Sequence, residues 1–240
     1  MNLNAYARKS KELYLRCRNK TLRLLLSRLL PLDRGARLVR IGSVYGGWFV
    51  PESALRGSAV CYSVGLGEDG SFDRAMAEIY GCQVFVFDPT PRAIEYAQAE
   101  LADVPGIRFQ PLGLWSEQTV LRFYAPRNPA HVSHSVVNLQ GTTDFFEAQC
   151  VSLADAMDAL GHRRIDILKL DVEGAEYEVL NAMLAAALEV DVVCVEFDQP
   201  TPFAKTLRQI RDLRRSGYSP IAIEGWNLTF QRHVDGAAAD

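Results

Sequence analysis

The chain has 240 residues, 48% of them hydrophobic and 23% charged, an ordinary soluble globular composition with enough apolar residues to enclose a cleft. Its net charge of −3 argues against nucleic acid as the principal partner, because a phosphate-tracking surface needs an excess of Lys and Arg. Five cysteines (17, 61, 82, 150 and 194) include no C-x-x-C pair, which fits reduced thiols in a cytoplasmic protein rather than a disulfide framework or a structural zinc site.

Residues 1–35 read as a basic, helical N-terminal arm. Within residues 1–30 eight Lys/Arg face one acid, Glu12; that segment carries +7 and the rest of the chain −10. Its apolar run "LRLLLSRLLPL" falls well short of the ~20 residues a membrane span needs. No small-residue cleavage site follows it, which argues against a signal peptide. The leucines are expected to pack on the domain; the alternative is peripheral contact between residues 1–30 and an anionic membrane.

Residues 36–240 read as a single α/β domain. "RIGSVYGGWFVP" (40–51) is expected to be an irregular glycine-rich loop. "SAVCYSVGLG" (58–67) is a buried strand ending in glycines. "SFDRAMAEIYG" (71–81) follows as a helix with Ser71 as N-cap. "CQVFVFD" (82–88) is a second strand, and "TPRAIEYAQAEL" (90–101) a helix opened by a Thr cap and Pro91. "IRFQPLGLW" (107–115) is a third strand with its exit loop, and "TVLRFYA" (119–125) a further short strand.

The polar, broken stretch 126–149 is too long for a plain connection and reads as a lid-like insertion. A helix (152–161), a strand (165–171), a helix (173–188), a strand (190–198) and a helix (203–217) come next. A closing strand pair spans 220–232. Near-continuous apolar strands alternating with helices mean a doubly wound, mostly parallel sheet, here with an antiparallel C-terminal strand pair.

Two stretches carry chemistry. "GLGEDG", Gly65 to Gly70, is G-x-G-x-x-G between a strand and a helix, and Asp88 lies 18 residues beyond Gly70 at the next strand's end. Such glycines let a nucleoside cofactor approach the backbone, and such an acid receives ribose hydroxyls. The spacing suits a dinucleotide or S-adenosylmethionine alike. "ILKLDVEGAEYEVL" (167–180) gathers Asp171, Glu173 and Glu176 where a central strand meets a helix. Open α/β sheets bind ligands at such strand ends, which favours function for Asp171. Glu173 and Glu176 fall in the expected first helical turn, where the macrodipole alone favours acids by ~0.3–1 kcal/mol each.

"KLDVEGAEYEVL" resembles the signature block of the FkbM-type S-adenosylmethionine-dependent methyltransferases. "CVSLAD" before it, "VVCVEF" after it, and "CYSVGLGEDGSFD" with "VFVFDPTP" extend the resemblance over roughly residues 58–200. Where that family commonly has an acid and an Asn around the first loop glycine, this chain has Ser63 and Gly67, as in a divergent branch. The resemblance implies a Rossmann-like sheet of seven strands and methyl transfer to a hydroxyl of a small-molecule, sugar or glycan acceptor.

Cofactor contacts are expected from Gly65, Leu66, Gly67, Glu68, Asp88, Pro89, Gly113, Leu114 and Asp171; from their places at the strand end, in the turn after it and in the lid-like stretch, Asp171, Glu173 and His134 are the catalytic candidates. A divalent cation such as Mg²⁺, held by Asp171 with Glu196 or Asp198, is not expected. Nor is His131, in the same "HVSHS" stretch, expected to act as acid or base. The alternatives are a nicotinamide oxidoreductase, whose short-chain form would need a Tyr four residues before Lys169 or Lys205, and a non-catalytic cofactor-binding homologue. Neither lysine has that Tyr.

Overall fold

A computed structural model describes residue 18 and residues 20–126, 134–138, 141–197 and 203–233. Residues 1–17, His131 and Asp198 lie outside them. Helix α1 (20–29) leads into a hairpin of β1 (Leu38–Ile41) and β2 (Trp48–Pro51). Then β3 (Val60–Val64), α2 (Ser71–Glu78), β4 (Gln83–Phe87), α3 (Pro91–Glu100) and β5 (Ile107–Gln110) alternate. After β6 (Gly113–Trp115), β7 (Thr119–Tyr124) and β8 (Phe145–Ser152), alternation resumes with α4 (Leu153–Leu160), β9 (Arg164–Leu170), α5 (Glu176–Ala185), β10 (Glu189–Glu196) and α6 (Phe203–Arg215). The chain then forms β11 (Tyr218–Glu224) and β12 (Asn227–Arg232).

Seven strands form one sheet in the order β11-β12-β10-β9-β3-β4-β5. The five from β10 to β5 run parallel, while β12 is antiparallel to β10 and β11 to β12. The fold is thus a doubly wound, mostly parallel Rossmann-like sheet, with the antiparallel closing pair.

Side-chain alternation divides the core between the two faces. Tyr62, Phe85, Leu168 and Val193 pack under α1, α4, α5 and α6 through Leu26, Leu153, Val179 and Ile210. Cys61, Val84 and Ile167 pack under α2, α3 and the β1–β2 hairpin through Phe72, Ala93 and Trp48. The cysteines at 61, 82, 150 and 194 are free and buried.

Four local expectations are corrected. Residues 40–51 are no irregular loop: Trp48 and Val50 of β2 are buried, and the glycines form the hairpin tip. The presumed lid ends in β8, which pairs with β6 and β7 in a separate three-stranded sheet. Along β8 the exposed Phe145, Glu147 and Gln149 alternate with only half-buried Phe146 and Ala148 until Cys150, so its apolar signal is thin. Helix α5 begins at Glu176, which puts Glu173 in the preceding turn and outside the helix. Ser71 is the first residue of α2, after N-cap Gly70; its hydroxyl instead accepts the Ser43 amide at 2.8 Å. Ser152 does cap α4, in a reciprocal box with Asp155.

From β3 the chain winds outward to β5, then returns to β9 and winds the other way. The crevice between β3 and β9 is therefore the topological switch point, where such sheets bind ligands. The two strand ends touch there: the Asp171 amide donates to Val64 O at 2.9 Å, and a Cβ on Gly65 would lie 1.8 Å from Asp171 O. Gly65 also has φ +86°. We predict that Gly65→Ala destabilises the chain by ~1–3 kcal/mol or more, read as a lowered midpoint in urea; an unchanged midpoint would contradict this packing.

Candidate active site

A cleft of about 580 Å³ opens at the switch point, within the range of small-molecule and cofactor sites. It brings together the glycine loop after β3, the ends of β4 and β9, the start of β6 and the tip of the β1–β2 hairpin. Gly65, Leu66, Gly67, Glu68, Asp88, Pro89, Gly113, Leu114, His134, Asp171 and Glu173 all line it. Tyr45, Gly46, Asp69, Thr90, Phe123 and Val136, which the sequence did not single out, line it as well.

The glycine loop is held from two sides. Asp88 is 5% exposed. One of its oxygens accepts the amides of Leu66 (2.9 Å) and Gly67 (3.0 Å); the other accepts the amide (2.9 Å) and hydroxyl (2.7 Å) of Thr90. A carboxylate offers about four acceptor positions, and these donors fill them. So Asp88 shapes the loop from within the chain while facing the cleft. Beneath the loop, the buried Lys169 donates to Gly65 O at 2.7 Å and lies 3.6 Å from the Asp171 carboxylate.

Lys169 also faces the buried Asp73 of α2, beside Ser63. Burial raises the Asp73 pKa and the Lys169 charge opposes that rise. The resemblance places an acid at Ser63; here a buried carboxylate reaches the same side of the sheet from α2. "SFD" gave no sign of it, because an acid at a helix start usually faces water.

The hairpin tip is fastened to the same loop. The Ser43 hydroxyl donates to Asp69 at 2.6 Å and accepts the amides of Tyr45 (3.1 Å) and Gly46 (2.8 Å). These bonds carry Tyr45 to the cleft mouth. On the opposite wall the Ser135 hydroxyl bonds the carbonyls of Val137 (2.6 Å) and Glu173 (2.7 Å), tying the described part of the insertion to the turn before α5. His134 next to it meets the Phe146 ring edge-on at 5.1 Å.

Carboxyl groups dominate the charged part of the lining: Glu68, Asp69, Asp88, Asp171 and Glu173 face a single lysine, Lys169. Arg92 neutralises Glu68 through bonds of 2.9 and 2.8 Å. Glu196, at the end of β10, is pushed up to about 8 by burial, then by the Asp171 charge and a hydrogen bond to Asp171. Glu176 is fully buried and pushed up to about 7, chiefly by burial; one oxygen accepts the Gly174 amide and the other has no partner. Among the described residues no group of three or more His, Cys, Asp or Glu is placed to hold a metal ion.

A Rossmann-like sheet with a crevice at its switch point is the architecture in which open α/β sheets bind their ligands. The Methyltransferase FkbM domain matches residues 67–220, and the chain belongs to this family. "Probable methyltransferase-like protein 24" of Rattus norvegicus and its Homo sapiens counterpart are each 29% identical to it over 130 residues. Those matches cover 53% of this chain and 29% of each relative, so the chain corresponds to less than a third of their length.

Among solved structures, two are similar to the chain at low identity. Aeropyrum pernix fibrillarin, with natively bound S-adenosyl-L-methionine, is 13% identical with a TM-score of 0.47, covering 84% of this chain and 85% of its own. Precorrin-6y C5,15-methyltransferase of Geobacter metallireducens is 11% identical with a TM-score of 0.45, covering 75% and 84%.

Glu176 and Glu196 hold protons in the folded chain well above the ordinary carboxylate range, near 4.3 when unfolded. Their folded pKa values are raised, so the stabilisation is full below that range and is lost as pH rises through about 7 for Glu176 and about 8 for Glu196. We predict that the melting temperature falls from pH 5 to pH 9, and that Glu196→Gln flattens the fall up to about 8 and Glu176→Gln up to about 7. Melting curves for both variants that run parallel to the unaltered chain would contradict these assignments.

Proposed function

We propose that the chain is an S-adenosylmethionine-dependent methyltransferase acting on a hydroxyl of a small-molecule, sugar or glycan acceptor. The observation that carries this reading is the acidic cleft at the switch point of a chain in the FkbM methyltransferase family. A sulfonium and an ammonium are cations, and a lining of five acids and one engaged lysine suits them. The same lining disfavours the pyrophosphate of a nicotinamide dinucleotide and the phosphates of a nucleic-acid acceptor.

The Gly65–Gly67 backbone and Leu66 are proposed to lie along the cofactor, with Pro89, Gly113 and Leu114 around its base. Asp88 is proposed to receive the ribose hydroxyls, which would have to share its oxygens with the loop amides. When bound, the cofactor supplies an electrophilic methyl carbon for in-line displacement. The protein's main task is then to hold the acceptor oxygen in line. Asp171, 35% exposed in its side chain, is the proposed proton acceptor for the hydroxyl; Lys169 lies 3.6 Å from its carboxylate and Glu196 shares a hydrogen bond with it. Such assistance is typically worth ~10²–10⁴-fold. Glu173 and His134 stand at the acceptor side as orienting or proton-carrying groups, and Tyr45 and Phe123 offer ring faces to a sugar or apolar body.

S-adenosylhomocysteine should raise the melting temperature, by the equivalent of about 2.7 kcal/mol at a hundred times its Kd, and NAD(H) should leave it unmoved. Stabilisation by NAD(H) alone would overturn the reading. Asp171→Asn should keep S-adenosylhomocysteine stabilisation yet lower methyl transfer ~10²–10⁴-fold across a panel of sugar and small hydroxyl acceptors; undiminished transfer would remove Asp171 as base.

A further inference from the structure

The cleft is acidic, but the far side of the sheet's β11–β12 edge is not. Helices α1 and α6 both pack there against Trp226: the Arg23 guanidinium lies 5.8 Å from its ring centroid and the Phe203 ring 6.4 Å from it. Helix α1 buries Leu26 and Leu30 in the core and turns Lys20, Arg23 and Arg28 to solvent, with no acid among residues 20–29. Helix α6 buries Ile210 and Leu213 and exposes Lys205, Arg208, Arg211, Arg214 and Arg215, with Asp212 as its only acid.

Between the cations stand large apolar side chains that the described residues leave well exposed. Leu24 is 52% exposed, Leu25 41%, Leu29 59% and, on α6, Leu207 37%. Trp226 sits in the turn beside the end of β10, where its carbonyl accepts the Phe197 amide at 3.1 Å. The basic face therefore borders the end of the sheet at which the cleft opens.

We propose that this two-helix face docks the protein on an anionic lipid bilayer. Cations on long apolar stems sit at the headgroups while leucines enter the acyl boundary, the pattern of an interfacial helix. Each Lys or Arg near such a surface adds about 1 kcal/mol, roughly fivefold in partitioning. The leucines decide for a bilayer over a nucleic acid: single strands are held on aromatic platforms, and the outward residues of α1 and α6 include no aromatic. The acidic remainder of the chain would be repelled by the same surface, which orients the molecule with its basic face down. Among the described residues no helix is long and apolar enough to cross a membrane, so the contact is peripheral.

The test is sedimentation of the full chain with vesicles of phosphatidylcholine, alone or mixed with phosphatidylserine. Binding is expected only with phosphatidylserine, falling as salt is added. Arg28→Ala and Arg208→Ala should each weaken it about fivefold, and Leu24→Ser with Leu25→Ser should weaken it at unchanged charge. S-adenosylhomocysteine stabilisation should survive in all three variants, which separates this surface from the cleft. Absent or equal sedimentation with the two vesicle types would overturn the proposal. So would binding that the leucine substitutions leave intact, or a shift of single-stranded RNA by the same arginines without vesicle binding.

Discussion

Everything in this site rests on one buried ammonium. Lys169 leaves β9 under the glycine loop, binds the Gly65 carbonyl and faces the carboxyl groups of Asp73, Asp171 and Glu196. Taking one partner from such a buried group typically costs ~3–5 kcal/mol, because the rest stay desolvated and unpaired. The lysine thereby fixes the loop and stands beside Asp171, while burial and the Asp171 charge raise the Glu196 pKa against the opposing pull of Lys169. Asp88 completes the clasp from above by collecting four donors of the loop and of Thr90.

That clasp explains why the glycines fall where they do. The ends of β3 and β9 approach so closely that a side chain at residue 65 would overlap the Asp171 carbonyl. Proximity of these strand ends creates the crevice, and the crevice gathers residues from seven separate parts of the chain. Acid charge then collects on one end of the sheet, while Arg and Lys collect on the outer faces of α1 and α6. The molecule is polarised in charge although its sum is only −3.

Much of this is legible in the sequence alone. The strands β3, β4, β9 and β10 are buried on both faces and read as continuous apolar runs, so their order and the Rossmann-like class followed. The loop "GLGEDG" and the block "KLDVEGAE" are local signals, and the cleft brings them together. What stayed hidden depends on partners distant in sequence. The hairpin 38–51 reads as a loop because its glycines dominate the tip, and β8 because one of its faces is exposed and the other only half-buried up to Cys150. Asp73 and Lys169 meet across α2 and β9, a pairing that no spacing rule reveals. Glu173 was placed in a helix because "EGAEYEVL" has helical spacing from its first acid, whereas Gly174, at φ +97°, holds the turn open until Glu176.

The most direct test of the proposed pocket is an amide ¹H–¹⁵N titration of the full chain with S-adenosylhomocysteine. The largest shifts are expected at Gly65–Gly70, Thr90 and Asp171–Gly174, with smaller ones at Gly113 and Leu114. Saturable shifts confined to the β11–β12 hairpin or to α6, with the glycine-loop amides unmoved, would contradict a cofactor cleft at the meeting of β3 and β9.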